Sequence, residues 1–290
     1  MKNNAYDYQP SRDHEDLNHR EGDIIHADSR RRSNSPFHVS PWDNGVIDVG
    51  NDRIEVVLAL DYDDDKLDTI GRWAKSASTG GPLKDDEPML KDEARGILKG
   101  GLAFQSLEDI RIAFGVRGAS RVLTHQLVRS RAAAFKQQSQ RDCYYGALPE
   151  FRMPESVWMS PVIRQTWFDA LRMAHAAYNM AVHSDIPYED ARYILPEGTV
   201  NFILCEYSLK EFLALYAYRG CVMFQSEMVA VMRAMRALLV EAHPYLEPHI
   251  KITCEKIHKC TFQGPEATAN TCDFPWARSD TTTLDLQEIK

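Results

Sequence analysis

THQLVRSRAAAFKQQSQR, residues 124–141, changes character halfway along. Its first half continues the apolar spacing of Ala119, Val122, Leu123 and Leu127, the face of a helix expected to open at Gly118. That helix sets Gln126 and Arg129 three residues apart on one side. Arg131 follows, and Arg141 closes the polar run Gln137–Gln138–Ser139–Gln140–Arg141. Guanidinium groups grip phosphate oxygens two at a time. Ser139 adds a hydroxyl, and a tight polar turn adds backbone N–H donors. Such a segment can hold more than one phosphate. Charge pattern alone also allows, and slightly favours, a solvated basic helix end followed by a polar loop.

Around this stretch the chain alternates between strand and helix patterns. Residues 53–60 (RIEVVLAL) and 110–116 (IRIAFGV) read as strands. Residues 64–77 read as a helix behind the acidic run Asp63–Asp64–Asp65, and residues 78–87 as a loop. Trp167, Leu171, Ala174, Tyr178 and Ala181 mark a long amphipathic helix with Pro161 in its first turn. Leu209, Phe212 and Leu213 start another. Met228, Val231, Met232, Met235 and Leu239 mark a further one, its methionines read as core. The expectation is an α+β fold with a helix-rich second half. No G-x-G-x-x-G or P-loop sequence follows a strand, so no Rossmann unit is expected.

The whole chain bounds the function classes. Its 290 residues are 44% hydrophobic and 26% charged, which suits one sizeable domain with an extension. Residues 1–45 read as a flexible arm, ordered only if something docks it, and residues 46–290 as the domain. A net charge of −8 argues against a general nucleic-acid binder. No apolar run approaches bilayer length and no signal peptide opens the chain, so no membrane association is expected. The six cysteines then read as reduced cytoplasmic thiols. Cys254, His258, Cys260 and Cys272 fit no standard zinc spacing, and no metal is expected. Cys143 and Cys221 stand near the motif without a base beside them, and read as packing residues rather than nucleophiles.

Arg129–Ser130–Arg131, seven residues, then Ser139–Gln140–Arg141 resembles the R-H-R, seven residues, S-x-R signature of the flavin-dependent thymidylate synthase (ThyX) family. Glu189–Asp190–Ala191–Arg192–Tyr193–Ile194–Leu195–Pro196 is similar to that family's E-x-A-R-x-x-L-P element. In a third block, residues 208–227, Arg219 stands at the position of the family's catalytic arginine, and Gln225 and Glu227 match the helix that follows. Three motifs in order, at fitting distances over about residues 50 to 245, make the resemblance specific.

The resemblance implies a ThyX-like fold with a central antiparallel sheet. It implies C5 methylation of dUMP, UMP or both, with methylenetetrahydrofolate as carbon donor, FAD as cofactor and NADPH as reductant. Relatives in nucleoside-antibiotic pathways of the polyoxin type methylate UMP. By position, Gln126, Ser139, Gln140, Arg141, Glu189 and Arg192 would hold the nucleotide. Arg219 would meet its ring as the catalytic residue. Arg129, Ser130, Arg131, Gln137, Ser208 and Lys210 would contact the cofactor. The family's sites form between subunits of a homotetramer. A fixed guanidinium suits this chemistry because uracil C5 is a weak nucleophile, and cationic donors beside the ring oxygens stabilise the charge that develops there.

Four positions depart from the family pattern. Ser130 replaces the histidine of R-H-R, Asp142 a tyrosine, and Ser208 and Lys210 an N-x-R pair; no histidine occurs in residues 101–105. They leave open a second possibility, a nucleotide- or flavin-binding protein without turnover.

Overall fold

The β-branched run that ends in Val56, Val57 and Leu58 becomes β3 (Glu55–Leu60), and the second becomes β4 (Arg111–Ser120). The computed structural model describes residues 25–28, 37–39, 54–62, 71, 107–145 and 151–260. The helix expected over 64–77 is described only at Gly71, which is helical; the loop at 78–87 lies outside the described residues, as does Cys272. Two stretches of the expected N-terminal arm are strands, β1 (Ile25–Asp28) and β2 (Phe37–Val39). β1 docks on β3, and β2 on β6 (Phe151–Met153).

With β5 (Ala134–Gln137) and β7 (Val200–Ser208), the main sheet runs β1-β3-β4-β7-β5, and each described pairing is antiparallel. The α+β class and the antiparallel sheet follow the sequence expectation. β4 lies at the centre, and nine of the ten residues that compose it are shielded to some degree, because strands cover both its edges and helices one face. Ile112, Phe114 and Val116 meet α5 (Leu209–Arg219) and α6 (Ser226–Ala242) in one core with Phe212, Met228, Met232 and Met235. Burying such side chains contributes about 1.5–3 kcal/mol each.

Gly118 does not open a helix. It sits inside β4 at φ 80, where the register with β7 slips between Arg117 and Ala119. A bulge needs a residue free to take positive φ, and glycine supplies it. The carbonyl of Gly118 accepts from Arg152 Nε at 2.7 Å, and that of Ala119 from Asn201 Nδ2 at 3.1 Å. The helix, α1 (Arg121–Leu127), therefore starts three residues late, capped by the Ser120 hydroxyl, which accepts from the Leu123 N–H at 3.1 Å.

α2 (Glu155–Trp158) leads into α3 (Pro161–His183), whose first residue is the expected proline. Its buried stripe is Phe168, Leu171, His175 and Tyr178. The stripe lies slightly round from the expected one, and Trp167 stays 39% exposed on its shoulder. α4 (Tyr188–Ala191) and a 3-10 turn (Arg192–Ile194) then carry the chain to β7, and α7 (Thr253–Ile257) follows α6. No helix among the described residues is long and apolar enough to cross a membrane. Nor do they hold a cluster of three or more metal-ligating side chains.

Candidate active site

The turn after β5 is built by its own serine. Ser139 Oγ accepts from the N–H groups of Arg141 at 3.1 Å and Asp142 at 3.2 Å. Those two donors are thus spent inside the turn, while the hydroxyl proton remains available to a ligand. Tyr178, wholly buried on α3, holds the end of the turn: its hydroxyl oxygen accepts from the Tyr145 N–H at 3.1 Å. Burial pushes both phenols above their ordinary range. Tyr144 lies tilted against Tyr178 and Tyr188, with ring centroids 6.2 and 5.8 Å apart.

So fixed, the turn presents Arg141 to α4. Arg141 Nε and Glu189 Oε2 lie 3.0 Å apart, and Arg192 Nε donates to the Glu189 carbonyl at 3.1 Å. The S-x-R and E-x-A-R motifs, far apart in sequence, therefore meet in space. The pair is well exposed, at 66% and 48%, and such pairs contribute only about 0–1 kcal/mol. A phosphate, with more charge to offer, can compete for Arg141. Gln140 is buried beneath the turn.

A second group forms where α1 meets the start of α6. Gln126 Nε2 donates to Gln225 Oε1 at 3.2 Å, and the same oxygen caps α6 by accepting from the Met228 N–H at 3.1 Å. Glu227, 1% exposed, accepts from the Ser120 N–H at 2.7 Å and the Ser120 hydroxyl at 2.5 Å. Gln225 adjoins Phe224. The Arg219 guanidinium carbon lies 4.9 Å from the centre of the Phe224 ring and 5.1 Å from that of Tyr218. Cation–π attraction to both rings steadies the charge without neutralising it.

A third group gathers at Glu211. Ser130 Oγ donates to Glu211 Oε1 at 2.6 Å, and Ser208 Oγ accepts from the Glu211 N–H at 3.2 Å as the cap of α5. Glu211 Oε2 is buried without a hydrogen-bond partner. Lys210 Nζ meets Glu108 Oε1 at 2.5 Å, and Arg129 and Arg131 are exposed. Gln137, expected at the cofactor, bridges Thr124 Oγ1 at 2.8 Å and Asn201 Oδ1 at 3.1 Å, tying α1 to the sheet.

A cleft of about 460 Å³ opens beside the second group. Trp167, Ala170, Leu171 and Ala174 of α3 form its apolar wall, and Ser120, Gln225 and Glu227 its polar end. The motif arginines are not among its lining residues. Sequence reasoning assigned no role to Gln225 or Glu227 beyond matching a helix, and it overlooked Glu211. Glutamine is not a preferred N-cap residue, so no clear capping signal for the first two was legible in the sequence. Nothing in the sequence pointed from Ser130 to Glu211. Cys221 is buried and Cys143 half-buried.

Comparisons with known proteins bear on the family and the fold. The family described as thymidylate synthase complementing protein matches residues 71–245, more than half of the chain. A flavin-dependent thymidylate synthase of Nitratidesulfovibrio vulgaris is 30% identical over 174 residues, covering 57% of this chain and 69% of that protein. One of Pyrococcus abyssi is 31% identical over 182 residues, covering 59% and 73%. Other relatives, such as that of Geobacter sulfurreducens, are matched over only 56% of their length. The fold is like that of the crystal structure of a UMP/dUMP methylase, PolB, from Streptomyces cacaoi bound with 5-Br dUMP: TM-score 0.55, 18% identity, 69% of this chain and 97% of that one. These matches place the chain in the thymidylate synthase complementing protein family, that of the flavin-dependent thymidylate synthases.

Proposed function

We propose that this chain methylates C5 of the uracil ring of a uridine 5′-monophosphate, dUMP or UMP or both, using methylenetetrahydrofolate and NADPH-reduced FAD. The observation that carries the reading is the meeting of Arg141 and Arg192 at Glu189, the first on its carboxylate and the second on its main-chain carbonyl. In this reading Arg141, Arg192 and the Ser139 hydroxyl hold the nucleotide phosphate. Gln126, anchored by Gln225, borders the sugar and base. Arg219 stands beside the ring oxygens, where it would stabilise the negative charge that develops as the ring is activated for attack by C5 on the one-carbon unit.

The residues of the third group suit a flavin. Arg129 and Arg131 offer exposed guanidinium groups to its phosphates, and Glu211 Oε2 is a buried acceptor awaiting an N–H donor. When bound, the flavin supplies the reducing electrons that complete the methyl group. Ser208 and Lys210 complete this group at its scaffold, as a helix cap and an ion pair.

Three groups within one chain also support a homotetramer whose sites are completed across subunits. On α3, Val162, Met173 and Met180 are 76%, 74% and 68% exposed, an apolar surface of the kind that association covers. The free thiols of Cys143 and Cys205 suit a cytoplasmic enzyme.

The test is release of tritium from C5 of dUMP and of UMP in the presence of FAD, NADPH and methylenetetrahydrofolate. Release that requires the folate, together with a methylated product, supports the reading and ranks the two nucleotides. The use of Ser208 as a helix cap and of Lys210 in an ion pair favours one rival, a binding protein without turnover. That rival predicts nucleotide affinity with no release under any reductant.

A further inference from the structure

Helix α1 has seven residues, too few to hold its shape or direction unaided. Its direction must come from what it is tied to. Beside its bonds to Gln137, Thr199 and Glu197, two of its side-chain ties end on the first turn of α6. At the N-terminus, Ser120 donates its N–H and its hydroxyl to Glu227, at 2.7 and 2.5 Å, while the same hydroxyl oxygen caps α1 at Leu123. At the other end, Gln126 donates to Gln225, whose own Nε2 lies 3.4 Å from Glu227 Oε2. Glu227 is 1% exposed. A carboxylate so buried is costly unless donors surround it. Here Ser120, Gln225 and the N-terminal end of the α6 dipole offset that cost.

We propose that Glu227 is a positioning residue, which sets α1, with Gln126 and the Arg129–Ser130–Arg131 segment, against the segment carrying Arg219. The inference rests on the function proposed above. Gln225 adjoins Phe224, against whose ring Arg219 lies, so one buried carboxylate links α1 to the segment that carries Arg219. A residue that merely stabilised the fold would lower the melting temperature and leave the affinity of folded protein alone.

The experiment compares dissociation constants for dUMP and UMP on full-length, FAD-loaded protein, well below each variant's melting temperature. Glu227→Gln keeps the side chain's shape but replaces one acceptor with a donor. Ser120→Ala removes the bridging hydroxyl. Met235→Ala opens a cavity on the same helix, in the core, away from the network. Glu227→Gln and Ser120→Ala should each weaken nucleotide binding about tenfold or more, since small misplacements of binding groups are costly. Met235→Ala, with an equal or larger loss of melting temperature, should stay within about twofold of wild type, as a distant and independent site does. If the Glu227 and Ser120 variants follow Met235→Ala, losing stability but not affinity, the inference is overturned. Should Glu227→Gln fail to fold, Ser120→Ala decides alone. Wild-type protein that binds neither nucleotide would sink the functional reading and this inference together, an outcome distinct from a variant-specific null result.

Discussion

Arg219 and Arg141 illustrate two ways of keeping a guanidinium ready. Arg219 rests against the Tyr218 and Phe224 rings, which orient it but leave its N–H edge for a ligand. Arg219→Ala should therefore cost roughly 3–4 kcal/mol of barrier, and methyl transfer should fall by two to three orders of magnitude. The melting temperature and flavin absorbance should hardly change. Full activity in this variant removes Arg219 from the mechanism. Arg141 is instead held by an exposed carboxylate, a weak tie that a phosphate can replace. Glu189→Gln should leave stability within about 1 kcal/mol while raising the KM for nucleotide, because Arg141 is no longer held towards Arg192. An unchanged KM would mean that Glu189 does not order the arginine.

At the scale of elements, caps and a bulge decide where the motifs face. Gly118 takes a positive φ inside β4, and the slip it allows delays α1. Gly118→Ala should destabilise by roughly 1–2 kcal/mol, read as a lower urea midpoint. A neutral result would mean the bulge can relax. Ser208 caps α5 through the Glu211 N–H, so Ser208→Ala should lower stability by about 1 kcal/mol. Titrating FAD into the same variant separates its two assignments: lost stability with unchanged flavin affinity leaves Ser208 a cap and not a cofactor contact.

For the whole molecule, the separation of Arg141 from Arg219 into different groups predicts that a site draws them from different subunits. In the proposed homotetramer, Arg141→Ala and Arg219→Ala subunits, each nearly inactive alone, should regain roughly a quarter of wild-type activity once mixed, the share expected from random assortment. No recovery after proven subunit exchange would put both arginines in one chain's site. Alkaline pH tests the core. Burial raises the Cys205 thiol from 9.0 to about 12 and pushes Tyr207 and Tyr145 upward too. Groups whose pKa rises on folding stabilise the protein while protonated. That contribution is complete below the ordinary thiol value and fades as pH climbs towards about 12. The urea midpoint should fall across that window, and a flat profile would show that these groups titrate alike when folded and unfolded.

The sequence by itself determined what depends on neighbours along the chain. The β-branched runs gave β3 and β4, and the spacing of Leu209, Phe212, Met228 and Met232 gave α5 and α6. The motif residues were recognisable because residue type and local spacing carry the phosphate and base chemistry. What only the tertiary structure decided is which of those residues meet. Glu189 faces Arg141 because Tyr178 pins a distant turn, and Ser130 meets Glu211 because α5 packs beside the end of α1. Gly118 fell in a strand rather than at a helix start because pairing with β7 extends β4 past it, a long-range preference that overrides local helical spacing. The buried tie between Glu227 and Ser120 was likewise out of reach, since burial, which makes a carboxylate's partners decisive, is a property of the packed molecule.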